Sequence, residues 1–196
     1  MAPDYGPFGA PASHAPRNLA ALAPLAAGGL VNIADAPTPA SPGLRVITQG
    51  VLNQMIAPDA VAAPCDDAVL ALGEADAAEI LALATLTKPG PFAARTHQLG
   101  DFFGVRIGGA LAAMTGERMR LPGFTEVSAV CVHPDHRGKG YGAYLTAHVA
   151  ARIQARGETP FLHVFPDNQP AIEAYLSLGF VLRRSMALTV LAPEKV

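Results

Sequence analysis

The strongest constraint on the fold is a glycine-rich turn that leads from a strand into a long helix. Residues 127–132 are rich in β-branched side chains, which favour a strand. Residues 137–142 then read Arg-Gly-Lys-Gly-Tyr-Gly. Beyond the turn, apolar residues recur every fourth position, at Leu145, Val149 and Ile153, as on one face of a helix. The predicted order is strand, glycine-rich turn, helix.

A turn of this kind suits a large anion. The first N–H groups of a helix have no intrahelical partner, and the helix dipole makes that end positive. Glycines let an anion approach those donors closely. The sequence therefore predicts a pyrophosphate-binding site at residues 137–143.

Two well-known pyrophosphate patterns fit this turn poorly. A P-loop needs Ser or Thr after its lysine, but Gly140 follows Lys139. A dinucleotide fingerprint is met by Gly138, Gly140 and Ala143, but its acidic residue should end the next strand. Glu158 has about the right spacing and precedes that strand. A dinucleotide-binding oxidoreductase stays the less favoured alternative.

A third pattern, Arg/Gln-x-x-Gly-x-Gly/Ala, is met by Arg137, Gly140 and Gly142. Two further motifs follow: Asp-Asn-Gln-Pro-Ala at residues 167–171 and Tyr-Leu-Ser-Leu-Gly-Phe at residues 175–180. With these motifs the sequence resembles the GNAT superfamily of acyl-CoA-dependent N-acyltransferases. The resemblance extends over about residues 69–191 and is strongest from Glu126 to Phe180.

The resemblance implies an α/β (α+β) fold. Its central sheet would be mixed and mostly antiparallel, with helices on both faces and one parallel pair of strands that splays apart. The residue pattern agrees, with a hairpin over 103–115, a turn over 116–123 and a strand over 124–132. A helix separates the last of these from a strand at 161–165, so these two should be parallel. Residues 180–191 are predicted to form a closing hairpin.

The chain is predicted to divide near residue 66. Residues 67–196 form the GNAT-like acyltransferase domain, and residues 1–66 form an N-terminal extension or partial subdomain. Residues 44–56 show strand-like alternation. A vestigial half-domain, a cap over the substrate cleft and a homodimer contact all remain open as roles for this front part.

Composition excludes several classes of partner. The formal net charge is −2 and no basic stripe carries interleaved aromatic residues, so no nucleic acid is expected. No apolar run reaches the roughly 18 residues that would predict a membrane span. Residues 19–31 imitate an export signal, but Pro24 and two glycines interrupt them. We expect a cytoplasmic protein in which Cys65 and Cys131 are free thiols.

The resemblance implies acetyl-CoA or coenzyme A as the co-substrate and assigns residues to hold it. The strand before the turn would pair with the pantetheine arm through its backbone, the turn would bind the pyrophosphate, and a helix cap downstream would touch the arm. These residues are Val130, Cys131, Val132, Arg137, Gly138, Lys139, Gly140, Tyr141, Gly142, Ala143 and Asn168. No metal is expected, since His133 and His136 lie outside the usual zinc spacings.

Two residues are predicted to be catalytic by the same resemblance. Glu126 stands where one branch of the family has a base that acts through water, and period-two alternation would place Glu126, Ser128 and Val130 on one sheet face. Tyr175 matches the tyrosine that protonates the departing thiolate. The predicted reaction is direct attack of a primary amine on acetyl-CoA. A non-catalytic CoA-binding regulatory module is the alternative.

The acceptor is expected on the side opposite the CoA. In the resembling family that side is built by the segment after the first helix, here residues 87–97, and by residues 183–186. Lys88 and Arg95 in the first segment would suit an amine that also bears a carboxylate, such as an amino acid or a peptide end. The sequence does not name the acceptor or the acyl length.

Overall fold

The computed structural model describes residues 4–26, 29–63 and 68–194. Its strands are β1 Leu30–Ala34, β2 Leu44–Ile56, β3 Leu70–Leu72, β4 Phe102–Ile107, β5 Ala110–Leu121, β6 Phe124–Val132, β7 Thr159–Val164 and β8 Val181–Pro193. Its α-helices are α1 Pro16–Ala20, α2 Ala77–Thr87, α3 Tyr141–Ala155 and α4 Gln169–Ser177. The strands form one sheet in the order β1-β8-β2-β7-β6-β5-β4-β3. Cys65 lies outside the described residues.

Strands β4, β5 and β6 form the predicted antiparallel meander. The predicted turn over residues 116–123 is wrong, because β5 continues to Leu121 and only Pro122 and Gly123 turn the chain, with Gly123 at φ +76°. The charged residues Glu117, Arg118 and Arg120 favoured a turn in the prediction, but they lie in β5 and form ion pairs there. Gly116 is needed in the strand because a Cβ there would lie 2.5 Å from the Phe102 ring.

Helices cover both faces of the sheet, as predicted. On one face, α3 buries the predicted stripe Leu145, Val149 and Ile153 in the main hydrophobic core. On the other face, α2 packs Ile80 and Leu83 onto a smaller cluster. The mixed, mostly antiparallel sheet with one parallel pair confirms the predicted fold class.

The predicted closing hairpin is wrong. Residues from Val181 to Pro193 form the single strand β8, which pairs antiparallel with β1 on one side and β2 on the other. Strand β2 lies between β8 and β7, and its apolar residues Leu52 and Met55 are buried there. The front part of the chain thus supplies two strands of the same sheet. The division near residue 66 stays a prediction.

Strands β6 and β7 are parallel and separate early. Their pairing covers only Phe124 to Glu126 against Thr159 to Phe161. Beyond that point β6 contains a bulge at Ala129, which has φ +54°. The bulge reverses the alternation, so that Val130 packs against the main core and Cys131 faces the α2 cluster. The predicted common face of Glu126, Ser128 and Val130 is therefore wrong for Val130.

Candidate active site

The space between the diverging strands β6 and β7 is a cleft of about 910 Å³. It is bounded by the start of α3, by α4, by residues 87–91 and by β1, β2 and β8. Both predicted catalytic residues, Glu126 and Tyr175, line it. The sheet and the two helices thus bring together residues that lie 49 positions apart in the sequence.

The glycine-rich turn places an uncapped helix end at this cleft. Gly140 is the N-cap of α3, with φ +82° and no side-chain cap hydrogen bond, and the first turn holds no acidic residue. Gly138 is also left-handed, at φ +73°, and a Cβ at either glycine would meet no other atom within 4 Å. The N–H groups of this first turn are therefore available to an anion.

The other predicted turn residues differ in position. Arg137, Gly142 and Ala143 line the cleft, and Arg137 Nε donates to the carbonyl oxygen of Val132 at 3.4 Å. Lys139 is exposed, and Tyr141 packs against the main core.

The free edge of β6 lines the cleft next to this helix end. Val130, Cys131 and Val132 line the cleft along the stretch where β7 has separated. Cys131 is buried, and that burial raises the pKa of its thiol to about 11. A thiol that stays protonated at neutral pH is a poor nucleophile, so the side chain of Cys131 is a packing group.

Helix α4 carries Asn168 and Tyr175 into the cleft wall. Asn168 caps the helix as predicted, with its Oδ1 accepting from the Ala171 N–H at 3.4 Å, and it also lines the cleft. Tyr175 is 9% exposed and its ring lies against Phe180. Burial raises the pKa of Tyr175 to about 12, so its hydroxyl is protonated at neutral pH and is able to donate a proton or a hydrogen bond.

Glu126 is held by a buried polar network. Arg118 donates from Nε to Oε2 and from Nη2 to Oε1 of the Glu126 carboxylate, each at 2.8 Å. His163 Nδ1 lies 2.8 Å from Oε1 of the same carboxylate. Burial alone would raise the pKa of Glu126, but the charge of Arg118 and the hydrogen bonds from His163 and Arg118 outweigh it and lower that pKa. The carboxylate is therefore ionised, and both of its oxygens are occupied.

Sequence reasoning missed the partners of Glu126. Arg118 fell in the predicted turn, and the continuation of β5 places it across from Glu126 in the hairpin. His163 had no assigned partner, although its place two residues after Phe161, the register partner of Glu126, puts it near that carboxylate. A prediction that β5 continues to Leu121 would have placed Arg118 in the strand that pairs with Glu126.

A second cavity of about 370 Å³ adjoins the cleft. His163 and Ile33 line both spaces. The remaining lining of the second cavity is Gln54, Ile56, Met119, Leu121, Phe124, Phe161, Arg183, Arg184 and Met186. His163 thus stands at the junction between the cleft and a cavity with two arginines on its wall.

The two segments predicted to build the acceptor side have different positions. Lys88 and residues 89–91 line the large cleft. Arg95 instead forms an ion pair with Asp4 at 3.1 Å and stacks on the ring of Tyr5. Residues Arg183, Arg184 and Met186 of the second segment line the second cavity.

Other predicted sites lie outside this arrangement. Glu158, the acidic residue of the dinucleotide alternative, accepts from Thr125 Oγ1 at 2.7 Å and does not line the cleft. Within residues 4–26, 29–63 and 68–194, no group of three or more His, Cys, Asp or Glu side chains is placed to hold a metal ion. No helix in those ranges is long and apolar enough to cross a bilayer.

Comparisons with known proteins agree on one family. The model of the FR47-like protein family matches residues 102–188, which include the meander, the glycine-rich turn and both candidate catalytic residues. A crystal structure of a proposed acetyltransferase of the GNAT family from Novosphingobium aromaticivorans is 46% identical, with a TM-score of 0.92. That similarity covers 98% of this chain and 87% of the other.

Two mycothiol acetyltransferases match a shorter stretch. The protein from Corynebacterium aurimucosum is 40% identical over 60 residues, which is 30% of this chain and 20% of that protein. The protein from Thermobifida fusca is 38% identical over 71 residues, or 36% of this chain and 22% of that protein. The chain thus spans only about a fifth of these relatives. Similarity over nearly the whole chain to the Novosphingobium protein, together with the fold and the glycine-rich turn, shows that this protein belongs to the GNAT family of acetyltransferases.

Proposed function

We propose that this protein transfers the acetyl group of acetyl-CoA to a primary amine by direct attack, in the cytoplasm, where acetyl-CoA is available. The observation that carries the proposal is the cleft itself. One continuous space is lined by an uncapped helix start, a free strand edge, an ionised glutamate and a protonated tyrosine. Each of these answers one requirement of acyl transfer from a thioester.

Coenzyme A would enter along the splayed strands. The N–H groups at the start of α3 would bind its pyrophosphate, since the helix dipole favours negative charge there. The free edge of β6 from Val130 to Val132 would pair with the pantetheine arm as an added strand does. A backbone N–H on this edge would also polarise the thioester carbonyl.

The chemistry would then fall to two residues that line the cleft, Glu126 and Tyr175. Glu126 belongs to the amine side, where the attacking nitrogen has to lose its protons. Tyr175 belongs to the thiolate side, where its protonated hydroxyl would stabilise or protonate the leaving sulfur. The acetyl group would pass directly to the amine, without a covalent enzyme intermediate.

The CoA site is tested by charge at the glycine-rich turn. Gly140→Asp would place a carboxylate where the pyrophosphate binds, and calorimetric titration with CoA should show a loss of affinity of about 100-fold or more. Because Gly140 is left-handed, any side chain strains this turn. Gly140→Ala is therefore the matched control, and we expect it to lose much less affinity. Equal affinities for both variants and the wild type would contradict a pyrophosphate site at this turn.

The role of Tyr175 is tested by removing only its hydroxyl. Tyr175→Phe keeps the buried ring, so we expect an unchanged Kd for CoA and a fall in turnover of about 10² to 10⁴. Release of the CoA thiol, followed with a panel of amines, measures both wild type and variant. Turnover within a few-fold of the wild type would return Tyr175 to a packing role. CoA binding without any amine-dependent thiol release would instead favour a regulatory CoA-binding module.

A further inference from the structure

His163 is the titratable group that stands between the two cavities. Its side chain is 8% exposed and lines both the CoA cleft and the second cavity. It projects from β7 just beyond the point where β6 and β7 stop pairing. An acceptor in the second cavity and a thioester in the cleft would therefore meet beside this ring.

The contacts of His163 fix which nitrogen is able to accept a proton. Nδ1 lies 2.8 Å from an oxygen of ionised Glu126, so Nδ1 carries the hydrogen and donates it. Nε2 then holds a lone pair, and it faces Nε2 of Gln54 at 3.1 Å. Glu126, itself held by Arg118, would stabilise the imidazolium that forms when Nε2 gains a proton.

The side-chain amide of Gln54 indicates what the second cavity is able to bind. Its nitrogen is an N–H donor facing His163, while its oxygen accepts from Nη1 of Arg183 at 2.5 Å. An α-amino acid presents the same two contacts, an N–H donor and an oxygen acceptor held close together. Gln54 is only half-buried, so a ligand would be able to displace its amide from both partners.

The charge of the second cavity selects among amines. In the described part of the chain no carboxylate forms an ion pair with Arg183, whereas Arg184 pairs with Asp35 at 2.8 Å. A guanidinium that has no carboxylate partner attracts the carboxylate of a ligand and repels a polyamine. The rest of the wall is largely apolar and includes Phe124 and Phe161, which suits an aliphatic or aromatic side chain.

We propose that Nε2 of His163 is the proton acceptor for the substrate amine, and that this amine is a free α-amino acid whose carboxylate binds Arg183 in the second cavity. This inference rests on the proposed acetyltransfer and names its acceptor class. Glu126 then acts through His163, as the positioning residue that fixes the tautomer. It need not touch the amine, which agrees with both of its oxygens being occupied.

The protons balance in this scheme. The ammonium group gives one proton to His163 Nε2, and the neutral nitrogen forms the C–N bond with the thioester carbonyl carbon. The C–S bond then breaks, and the sulfur receives a proton from Tyr175. The new amide nitrogen loses its second proton, which restores the Tyr175 hydroxyl through solvent. His163 releases its proton to solvent, leaving an N-acetyl amino acid and the CoA thiol.

The first experiment measures thiol release for wild type, His163→Gln and His163→Ala with L-amino acids as acceptors. We expect kcat/KM to fall by about 10² to 10⁴ in both variants, with the Kd for CoA unchanged. The ascending limb of the pH–rate profile should disappear in His163→Gln, and added imidazole should restore part of the activity of His163→Ala. The charged groups near His163 are Glu126, which contacts it directly, Arg118, which pairs with Glu126, and Arg183, which contacts Gln54. Because Glu126 accepts a hydrogen bond from His163, Glu126→Gln should also alter the ascending limb of the pH–rate profile.

Glu117→Gln serves as the control, since Glu117 is a buried glutamate of the same sheet that lines neither cavity. It should keep the wild-type pH profile. Turnover and pH profile of His163→Gln close to wild type would overturn this inference and leave the acetyltransferase assignment intact. Absence of amine-dependent thiol release from the wild type would overturn the proposed function and this inference together.

The second experiment tests the acceptor class with matched pairs of L-amino acids and their carboxamides, together with dipeptides and a polyamine. Wild type should prefer the free carboxylate, and Arg183→Gln should raise the KM for the amino acid by about 10- to 100-fold. The KM for the carboxamide should change little. Arg45→Gln, an exposed arginine of β2 outside both cavities, should behave as wild type. Preference for the polyamine, the dipeptides or the carboxamides would overturn the amino-acid assignment.

Discussion

Two buried glutamates on neighbouring strands differ in their surroundings. Glu117 on β5 is 0% exposed and Glu126 on β6 is 1% exposed. Glu117 accepts from Arg120 at 2.6 Å and from Arg156 at 2.9 Å. Glu126 accepts from Arg118 and from His163. Only Glu126 lines the cleft.

The partners of the two glutamates differ in chemistry, and this difference supports the separate role proposed for Glu126. Arginine stays charged at any physiological pH, so the group around Glu117 is fixed in charge and joins β5 to the end of α3. A histidine ring nitrogen is able to accept or donate a proton, so under the proposed mechanism the group around Glu126 exchanges a proton with the substrate. Burial and ion pairing are common to both glutamates and do not separate them. Under the proposed mechanism, the distinguishing feature of Glu126 is a histidine partner that lines both cavities.

The largest expected effect on stability comes from neutralising Glu126, and the matched change is the same substitution at Glu117. Glu126→Gln leaves the guanidinium of Arg118, whose side chain is 9% exposed, buried without a counter-charge. We expect a loss of about 3 to 5 kcal/mol in the free energy of unfolding, measured by urea titration. Glu117→Gln should cost about 1 to 3 kcal/mol, because Arg120 and Arg156 are 52% and 35% exposed and water is able to solvate them. The reverse order would break the comparison.

A smaller effect appears in the dependence of stability on pH. The pKa of Glu126 in the folded protein lies below its ordinary value of 4.5. The stabilisation from its ionised form is therefore complete above pH 4.5 and is lost as the pH falls through the lowered pKa. The stability difference between wild type and Glu126→Gln should therefore shrink as the pH falls below about 4.5. A difference that stays constant down to pH 3 would contradict the lowered pKa.

The smallest effect on stability is expected for Arg120, the more exposed of the two arginine partners of Glu117. Arg120→Ala removes a half-exposed partner while Arg156 stays in place. The cost should be about 0.2 to 1 kcal/mol, seen as a small shift of the urea midpoint with an unchanged slope. Arg118→Ala is the matched variant on the other glutamate and should cost several times more. Similar costs for the two arginines would show that exposure does not separate the two groups.

The sequence predicted the centre of the fold better than its edges. The strand β6, the glycine-rich turn, α3 and the cap of α4 were all readable, because each depends on local signals such as β-branched runs, helical periodicity and Asn168 at a cap. The course of residues 116–121 was not readable, because Glu117, Arg118 and Arg120 look like turn residues until their ion-pair partners are known. The bulge at Ala129 also left no signal, since alanine is an unusual residue at positive φ.

For the candidate site too, the residues that belong to a local motif were predicted, and those brought together by the tertiary fold were not. Residues of the turn were identified by a motif with a physical reason, and Arg137, Gly142 and Ala143 among them line the cleft. The residues of the second cavity come from six strands, β1, β2, β5, β6, β7 and β8, which no local pattern joins. Gln54 and Arg183, in contact in the structure, lie 129 positions apart in the chain. A contact of that separation depends on the tertiary fold and cannot be read from spacing.

The insertion of β2 between β7 and β8 has a consequence for how the chain folds. Both neighbours of β2 come more than 100 residues later in the sequence. Closing a flexible loop of 129 residues costs about 4 kcal/mol of chain entropy before any strand pair compensates it. Strands β4 to β6, joined by two tight turns, meet no such cost. The second cavity takes part of its wall from β2, β7 and β8. It is therefore expected to form late, after the meander and α3 have already folded.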